Sequence, residues 1–344
     1  MFGRLKELTE LNGVSGNEGE VRKNIREYVK QYADEVWTDS MGNLFAHKKA
    51  NGRKIMICGH MDEVGMMVTR IRDDGLISYA AAGIDPRVVV GKRVAVGKDK
   101  VMGVIGSKAI HLQSRSEFES SYKHSQLFID IGAKDKADAL KYVNIGDYIA
   151  FTTKYEEFGD GLIKAKALDD RIGCCMVMEM LKNSYDCDLY AVFTVQEELG
   201  LRGARSAAFA VEPELALILE GTTANDMAEV QGHQWVTRVG KGVAITFMDR
   251  GTITRPAMFD ELKNCALENN VIWQIRQGNS GGTDAGRIHL TKGGCVTGGI
   301  SVPCRYIHSA VSVAAKSDIE NMYKLVDSFL KEKRFEKVLS VLGQ

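Results

Sequence analysis

Three short, continuous apolar runs most limit how this 344-residue chain can fold. They cover residues 55–58, 189–195 and 215–219, and each is closely followed by a glycine or an acidic residue. Runs of this length are typical of strands buried on both faces, as in a parallel sheet flanked by helices. The sequence therefore predicts an α/β fold.

Stretches with helical periodicity lie near these runs. Asn17 is followed three residues later by Glu20, which predicts a capped helix start, and apolar residues then recur at helical spacing. Ser317 and Glu320 have the same capping-box spacing. Further helices are predicted over about residues 170–181, 259–268 and 318–331.

The segment from about residue 64 to 166 has a different character. It is rich in Gly and Val, and turn signals at 73–75 and 97–99 separate short β-favouring runs. Only residues 134–142 favour a helix. We predict a small β-rich domain inserted into a discontinuous α/β domain. The predicted bounds are 66–166 for the insertion and 1–65 with 167–344 for the α/β domain.

Composition argues against a broad surface for nucleic acid or membrane, although it leaves a local charged patch open. Lys and Arg total 45 and Asp and Glu total 45, so the formal charge is zero. That balance argues against a broad nucleic-acid or anionic-membrane surface. The amino-terminal segment lacks the apolar core of a signal peptide, and no apolar run has the length of a membrane span. The odd count of seven Cys predicts reduced thiols in a cytoplasmic protein.

Two polar clusters combine residue types that can bind metal. His60 and Asp62 are two residues apart and would face the same side of an extended chain, where the carboxylate could orient a metal-binding imidazole. Asp169 and Asp170 open a predicted helix, where acids usually complement the helix dipole. One of these two carboxylates could also bridge two cations. Each pair alone is more typical of an ordinary structural setting.

Acidic residues also follow the second and third apolar runs. Glu197 and Glu198 follow the second run after Gln196, and adjacent carboxylates there are costly unless a cation compensates them. Ligand sites of open α/β sheets gather at this edge of the sheet. One of the two could bind metal while the other acts on water. Glu220 ends the third run, and His308 lies in a last cluster near residue 305.

Taken together, two imidazoles and three carboxylates form the ligand set of a two-zinc or two-cobalt hydrolase. Two divalent cations bring four positive charges, and three carboxylates with one hydroxide bring four negative charges. Such a cluster can be buried without a large net charge. The candidate ligands are His60, Asp169, Glu198, Glu220 and His308.

The order of these motifs along the chain resembles that of the TET-type dinuclear metallo-aminopeptidases of clan MH, which include deblocking and glutamyl aminopeptidases. The resemblance covers essentially the whole chain, and the ordered set is far more specific than any single motif. It is carried by His60-Met61-Asp62, Asp169-Asp170-Arg171, Glu197-Glu198, Glu220 and His308, with Gly13-Val14-Ser15-Gly16, Gly281-Gly282-Thr283-Asp284 and Gly298-Gly299-Ile300-Ser301.

The resemblance implies how the metals are shared among the candidate ligands. Asp169 would bridge the two ions. His60 and Glu220 would complete one ion, and Glu198 and His308 would complete the other. Family members often carry Asp where this chain has Glu220, so the ligand of the first metal is one methylene longer here.

Roles beyond the metal ligands also follow from the resemblance. Asp62 would orient His60, and Glu197 would be the general base. Alignment of the motif selects Asp169 over Asp170 as the bridging residue, with Asp170 as the alternative.

The family further implies a three-layer α/β/α catalytic domain with an inserted, dimerisation-type β-rich domain. The expected activity is hydrolysis of N-terminal residues from peptides with two zinc or cobalt ions per subunit. The expected assembly is a homo-oligomer, from a dimer up to a tetrahedral dodecamer.

Other functions remain open from the residues alone. The same centre could serve a metal-dependent deacylase or another amide hydrolase. Thiol catalysis is a weaker alternative, because no Cys lies in a recognisable nucleophile context. A non-catalytic scaffold or carbohydrate-binding protein is a further alternative, although only three scattered Trp are present.

Overall fold

The computed structural model describes residues 1–278 and 281–341, so residues 279–280 and 342–344 of the predicted α/β domain lie outside the described residues. Within the described part, eight strands form the main sheet. From edge to edge they are β1 (Glu35–Thr38), β2 (Leu44–Lys48), β12 (Asp188–Thr194), β3 (Lys54–His60), β13 (Leu215–Thr223), β16 (Val296–Cys304), β14 (Val243–Thr246) and β15 (Trp273–Arg276).

The centre of the main sheet is parallel. Strand β3 pairs in parallel with β12 and β13, and β13 pairs in parallel with β16. The antiparallel strands β2 and β14 flank this group. The three apolar runs form β3, β12 and β13, as predicted, and their carboxyl ends meet at one edge of the sheet because the strands run the same way.

Helices cover both faces of this sheet. On one face Ile55 and Ile57 of β3 belong to the largest apolar core, and on the other face Met56 and Cys58 pack into a separate core. The prediction of a three-layer α/β/α arrangement is therefore confirmed. The first face carries α1 (Phe2–Glu10), α2 (Gly19–Val29), α5 (Leu168–Met180), α7 (Pro256–Glu268), α9 (Lys316–Lys331) and α10 (Arg334–Ser340), and the second carries α6 (Arg202–Val211) and α8 (Ala285–Ile288).

Both predicted capping boxes are wrong, although the helices themselves are present. The N-cap of α2 is Glu18, and its side chain forms no capping hydrogen bond. The N-cap of α9 is Ala315, again without a side-chain cap. Helix α9 follows directly from strand β17 (Ser312–Ala315), so its first turn begins before Ser317.

The β-rich segment forms a closed barrel with its own apolar core. That core contains Val68, Val94, Ile105 and Phe151. The helix predicted over 134–142 is reduced to one short helix, Lys136–Ala139. The barrel comprises β4 (Gly65–Ile71), β5 (Ile77–Ala82), β6 (Arg93–Val96), β7 (Val101–Gly106), β8 (Phe128–Asp130) and β9 (Tyr148–Phe151), with helices α3 (Arg115–Phe118) and α4 (Lys136–Ala139) in its connections. Short 3-10 turns occur at Pro86–Val88, Ile110–Leu112, His124–Gln126 and Gly232–Gln234.

A small third sheet joins the segment after the barrel to the carboxyl-terminal part of the chain. Strands β10 (Glu156–Phe158) and β11 (Leu162–Ala165) form it with β17. The predicted domain bounds of 66–166 against 1–65 and 167–344 stay a prediction. In the described residues, none of the helices has both the length and the apolar character needed to cross a membrane.

Candidate metal centre

The polar residues predicted from the sequence converge where the parallel strands end. His60 is the last residue of β3, Glu220 lies in β13, and Asp169 lies at the start of α5. Glu197 and Glu198 follow β12, and His308 follows β16. We call the cavity that these residues line the cleft, and its volume is about 340 Å³. The described residues lining it are His60, Asp169, Glu197, Glu198, Glu220, Gly221, Thr222, Thr223, Arg276, Gly281, Gly282, Thr283, Ile307 and His308.

Both histidines direct the same ring nitrogen toward carboxylates. Nδ1 of His60 lies 3.1 Å from the carbonyl oxygen of Asp62, and Nδ1 of His308 lies 3.0 Å from that of Gly83. When Nδ1 donates its proton to a carbonyl, Nε2 keeps a free lone pair that can bind metal. Each backbone contact thus prepares an Nε2 ligand.

The distances between these ligands suit a shared cation. Nε2 of His60 is 3.3 Å from Oδ1 of Asp169, and Nε2 of His308 is 3.3 Å from Oε2 of Glu198. Two ligands that bind one zinc ion at about 2.1 Å in tetrahedral geometry lie about 3.4 Å apart. Ligand atoms of His60, Asp169 and Glu198 all lie within 4.8 Å of one another. The donor set and its spacing therefore fit divalent ions.

Buried negative charge supports the same conclusion. Burial raises the pKa of Glu198 to about 7, although the imidazole of His308 opposes the shift. Burial, and then repulsion from neighbouring carboxylates, raises the pKa of both Glu197 and Glu220 against the opposing imidazole of His60. Carboxylates buried this close together are costly in ionised form unless cations compensate them. Divalent ions would supply that compensation.

Asp62 connects the two loops that carry the site. Its Oδ1 accepts a hydrogen bond from the backbone N–H of Glu197 at 2.9 Å, and its Oδ2 accepts one from that of Glu198 at 3.2 Å. The hydroxyl of Ser15 also donates to Oδ2 at 2.6 Å. The Oδ1 atom lies 3.5 Å from Nδ1 of His60, so Asp62 holds both Glu residues as well as adjoining the imidazole.

A buried group of charges fixes the loop that follows His60. The carboxylate of Glu63 accepts hydrogen bonds from Nζ of Lys166 at 2.7 and 2.8 Å, and lies 3.2 Å from Nη2 of Arg171. Arg171 also donates to the carbonyl of Met61. These contacts join the start of α5 to this loop. They were not predicted, because nothing in the spacing of Glu63 and Lys166 indicates that they meet.

Two further buried acids, Asp170 and Asp284, lie next to the centre but are absent from the described lining of the cleft. Asp170 accepts hydrogen bonds from the backbone N–H groups of His60 and Gly173. The carboxylate of Asp284 accepts a hydrogen bond from the hydroxyl of Thr194, and the backbone N–H of Asp284 donates one to Oε1 of Glu220. Between the two neighbouring aspartates, Asp169 lines the cleft and Asp170 is absent from its described lining.

Arg276 is the one Arg or Lys among the described residues that line the cleft. Its Nε donates to the hydroxyl of Thr222 at 3.1 Å, and its Nη1 donates to the carbonyl of Gly278 at 3.2 Å. Arg276 was not predicted as a site residue, because its neighbours in sequence carry no motif. No Trp, Tyr or Phe occurs in that same described lining, so the cleft offers no aromatic surface for stacking a sugar.

Comparison with family models places the chain among peptidases. The model described as M42 glutamyl aminopeptidase matches residues 42–325. A second model, AMPT, matches residues 5–23.

Three curated relatives with aminopeptidase names match over almost their full length. One from Acetivibrio thermocellus, provisionally named an aminopeptidase, is 43% identical and covers 95% of this chain and 97% of its own. The lysyl aminopeptidase of Pyrococcus furiosus is 30% identical over 95% of this chain and 96% of its own. The glutamyl aminopeptidase of Lactococcus lactis is 31% identical over 99% of both.

Solved structures show the same architecture. A TET aminopeptidase from a marine-sediment archaeon of the Thaumarchaeota has a TM-score of 0.95 at 35% identity, covering 98% of this chain and 97% of its own. The TET1 peptidase of Pyrococcus horikoshii, described as assembling into a tetrahedron or an octahedral shell, has a TM-score of 0.85 at 30% identity, covering 96% and 99%. A Thermotoga maritima protein described as an endoglucanase has a structure with a TM-score of 0.81 at 35% identity, covering 98% of each chain.

Proposed function

Because the chain belongs to the M42 family and is a metal-dependent aminopeptidase, we propose that it removes N-terminal residues from peptides at a two-ion centre in the cleft. The single observation that best supports this proposal is the position of Asp169. One of its carboxylate oxygens is 3.3 Å from Nε2 of His60, and the other is 3.9 Å from Nε2 of His308. A carboxylate between two imidazoles is suited to bridging two cations.

We assign the remaining ligands by their neighbours. Glu198 lies 3.3 Å from His308, so these two would hold one ion with Asp169. His60 and Glu220 would hold the other ion with Asp169. The longer Glu220 side chain is compatible with that role because the N–H of Asp284 contacts its Oε1 and holds one end of the carboxylate. Zinc or cobalt suits this mixture of imidazole and carboxylate ligands.

When bound, divalent ions of this kind supply a water of lowered pKa and a Lewis acid that polarises the scissile carbonyl. We assign proton transfer to Glu197. Its Oε2 lies 4.0 Å from Nε2 of His60, beside the predicted ligands, and its side chain is almost fully buried. Glu197 takes the proton of the attacking water and returns it to the amine that leaves.

The carboxylates of the cleft also restrict which peptides react. A free α-amino group is positively charged, and the carboxylates at the end of the sheet would hold it next to the reacting carbonyl. This arrangement confines cleavage to the chain end.

Arg276 favours acidic N-terminal residues among such substrates. It lies in the cleft with its guanidinium largely buried, and burial lowers its pKa against the opposing charges of Asp249 and Glu220. A guanidinium in that setting forms strong hydrogen bonds with a carboxylate. Relatives at similar identity are named for either lysyl or glutamyl substrates, and Arg276 points to the glutamyl type.

The seven thiols give no support to cysteine catalysis. All seven are free, and burial raises the pKa of Cys58, Cys174 and Cys304 well above the usual value. Buried thiols of high pKa are poor nucleophiles. Free, mostly buried thiols instead suit the cytoplasmic location proposed from the sequence.

We further propose a homo-oligomer, up to the tetrahedral dodecamer, because structures of the similar TET1 peptidase are described as a dodecamer and as a tetrahedron or octahedral shell. Light scattering of the purified protein would give its mass directly.

A substrate panel before and after metal chelation tests the proposed function. The panel contains anilides of glutamate, aspartate, leucine and lysine, an N-acyl amino acid, and a soluble cellulose. We expect hydrolysis of the anilides alone, loss of activity on chelation, and recovery on adding zinc or cobalt. Hydrolysis of the acyl amino acid or the cellulose without the anilides would contradict the proposal.

A further inference from the structure

A second cavity lies away from the cleft and shares no lining residue with it. Helices α6 and α8 pack against each other on the second face of the main sheet, and their outer sides line this open cavity together with Met41 and residues 290–292. Its volume is about 760 Å³, within the range of about 300–1,000 Å³ that holds small ligands. We call it the basic cavity, and its charged lining residues are Arg202, Arg205, Arg287 and Lys292.

No acidic residue occurs among the described residues that line the basic cavity. Arg205 and Arg287 form no ion pair within the described ranges, and Arg202 reaches only the side-chain oxygen of Gln196, at 3.4 Å. Lys292 pairs with Glu212 at 2.8 Å. Several cations from α6 and the α8 region thus face one concave space without compensating charge, which favours an anion there.

Apolar side chains share the same lining. Phe209 is 59% exposed, Leu290 is 66% exposed and Met41 is 37% exposed, although each lines a concave surface. The ammonium of Lys292 lies 3.8 Å from the centre of the Phe209 ring. Thr291 also lines the cavity, and its buried hydroxyl has no hydrogen-bond partner in the described structure. Such a lining suits a ligand that is apolar as well as charged.

We propose that the basic cavity binds a small amphipathic anion, an aromatic or aliphatic group that carries a carboxylate or a phosphate. The apolar part lies against Phe209 and Leu290, and the anionic part lies between Arg205 of α6 and Arg287 of α8. This inference does not depend on the proposed function, because the cavity is lined by different residues from the cleft.

Fluorescence titration with 8-anilinonaphthalene-1-sulfonate, an aromatic anion, tests the proposal on the full protein as it assembles in solution. We expect saturable binding at one site per chain, weakened about tenfold or more in Arg205→Gln and in Arg287→Gln because each loses a charge-assisted hydrogen bond. The matched control is Arg115→Gln, whose side chain is 92% exposed on the barrel, and it should bind as the parent does. Equal affinity in all four proteins would overturn the proposal.

Two competitors and a neutral probe define the ligand chemistry. N-phenyl-1-naphthylamine has the same rings without the sulfonate, and we expect it to bind more weakly at this site. Displacement by 1-naphthoate would identify a carboxylate ligand, and displacement by adenosine monophosphate would identify a phosphate ligand. Displacement by neither, or tighter binding of the neutral probe, would contradict the proposal. The proposal would also be contradicted if another copy of the chain covered this face and the probe showed no saturable binding.

Discussion

The cleft and the basic cavity differ both in charge and in how that charge is supported. Backbone hydrogen bonds fix carboxylates in and beside the cleft. Glu220 in the cleft accepts one from the N–H of Asp284, and Asp62 beside it accepts one each from the N–H groups of Glu197 and Glu198. In the basic cavity, cations such as Arg205 and Arg287 lie exposed on helices with no ion pair among the described residues. The fold therefore holds the acidic site in place, whereas the basic site adds charge to an already stable surface.

The largest loss of activity should follow from changing Glu197, the residue assigned to proton transfer. Glu197→Gln keeps the shape of the side chain but removes its basicity, so we expect kcat to fall about 10²–10⁴-fold with bound metal unchanged. Steady-state kinetics and metal analysis check both parts. Glu119→Gln, an exposed residue of the barrel, is the control. Turnover of Glu197→Gln at the parent rate would show that another group takes the proton.

The metal affinity of the cleft should also depend on Asp62, which joins the loop after His60 to the loop that carries Glu197 and Glu198. Asp62→Ala leaves the N–H groups of Glu197 and Glu198 without their acceptor, so we expect metal affinity to fall about 10–100-fold. Metal titration monitored by calorimetry measures the change. Ser15→Ala removes one donor to the same carboxylate and should have a smaller effect. An unchanged affinity in Asp62→Ala would limit this residue to a structural role.

Substrate preference should change through the one Arg or Lys in the described lining of the cleft. We expect Arg276→Gln to lower the ratio of kcat/KM for glutamyl to leucyl anilides about 10–100-fold, because a charged hydrogen bond is lost. Arg238→Gln, outside that lining, should leave the ratio unchanged. An active Arg276→Gln enzyme with the parent ratio would refute the preference alone, whereas a parent that cleaves no anilide would refute the proposed function itself.

Removing metal should affect stability as well as activity. Ions that bind only the folded protein stabilise it by about 2.7 kcal/mol when present at about 100 times their Kd. Chelation should therefore lower the Tm, and a thermal unfolding scan with and without added zinc measures the shift. An unchanged Tm would indicate that the buried carboxylates are accommodated by protonation instead.

The smallest effect should occur at the basic cavity. Arg205→Gln and Arg287→Gln alter exposed side chains, so we expect the free energy of unfolding to change by less than about 0.5 kcal/mol and kcat to match the parent. A large loss of stability in either variant would mean that these cations support the fold, and the contrast between the two sites would then be wrong.

The sequence predicted the part of the molecule that depends on local pattern. Apolar runs identified the central strands, and strand order explains why His60, Glu198 and Glu220 lie at one edge of the sheet. Sequence position alone did not determine the supporting contacts. Lys166 meets Glu63 across more than 100 residues, and no periodicity records such a pairing.

Helix starts show that tertiary structure can also override a local sequence preference. The capping-box spacing at Ser317 is a genuine local preference, but the preceding strand already fixes the path of the chain into α9. Arg276 was missed for a related reason, because its importance comes from facing the cleft and not from its neighbours in sequence. Tertiary placement decided both cases.

The most direct test of the central claim is metal content measured by inductively coupled plasma mass spectrometry after dialysis against zinc. The account predicts two ions per chain in the parent protein and a loss of both in Asp169→Ala, since the bridging carboxylate serves each ion. A parent protein that retains no metal, or an Asp169→Ala variant that retains both ions, would contradict it.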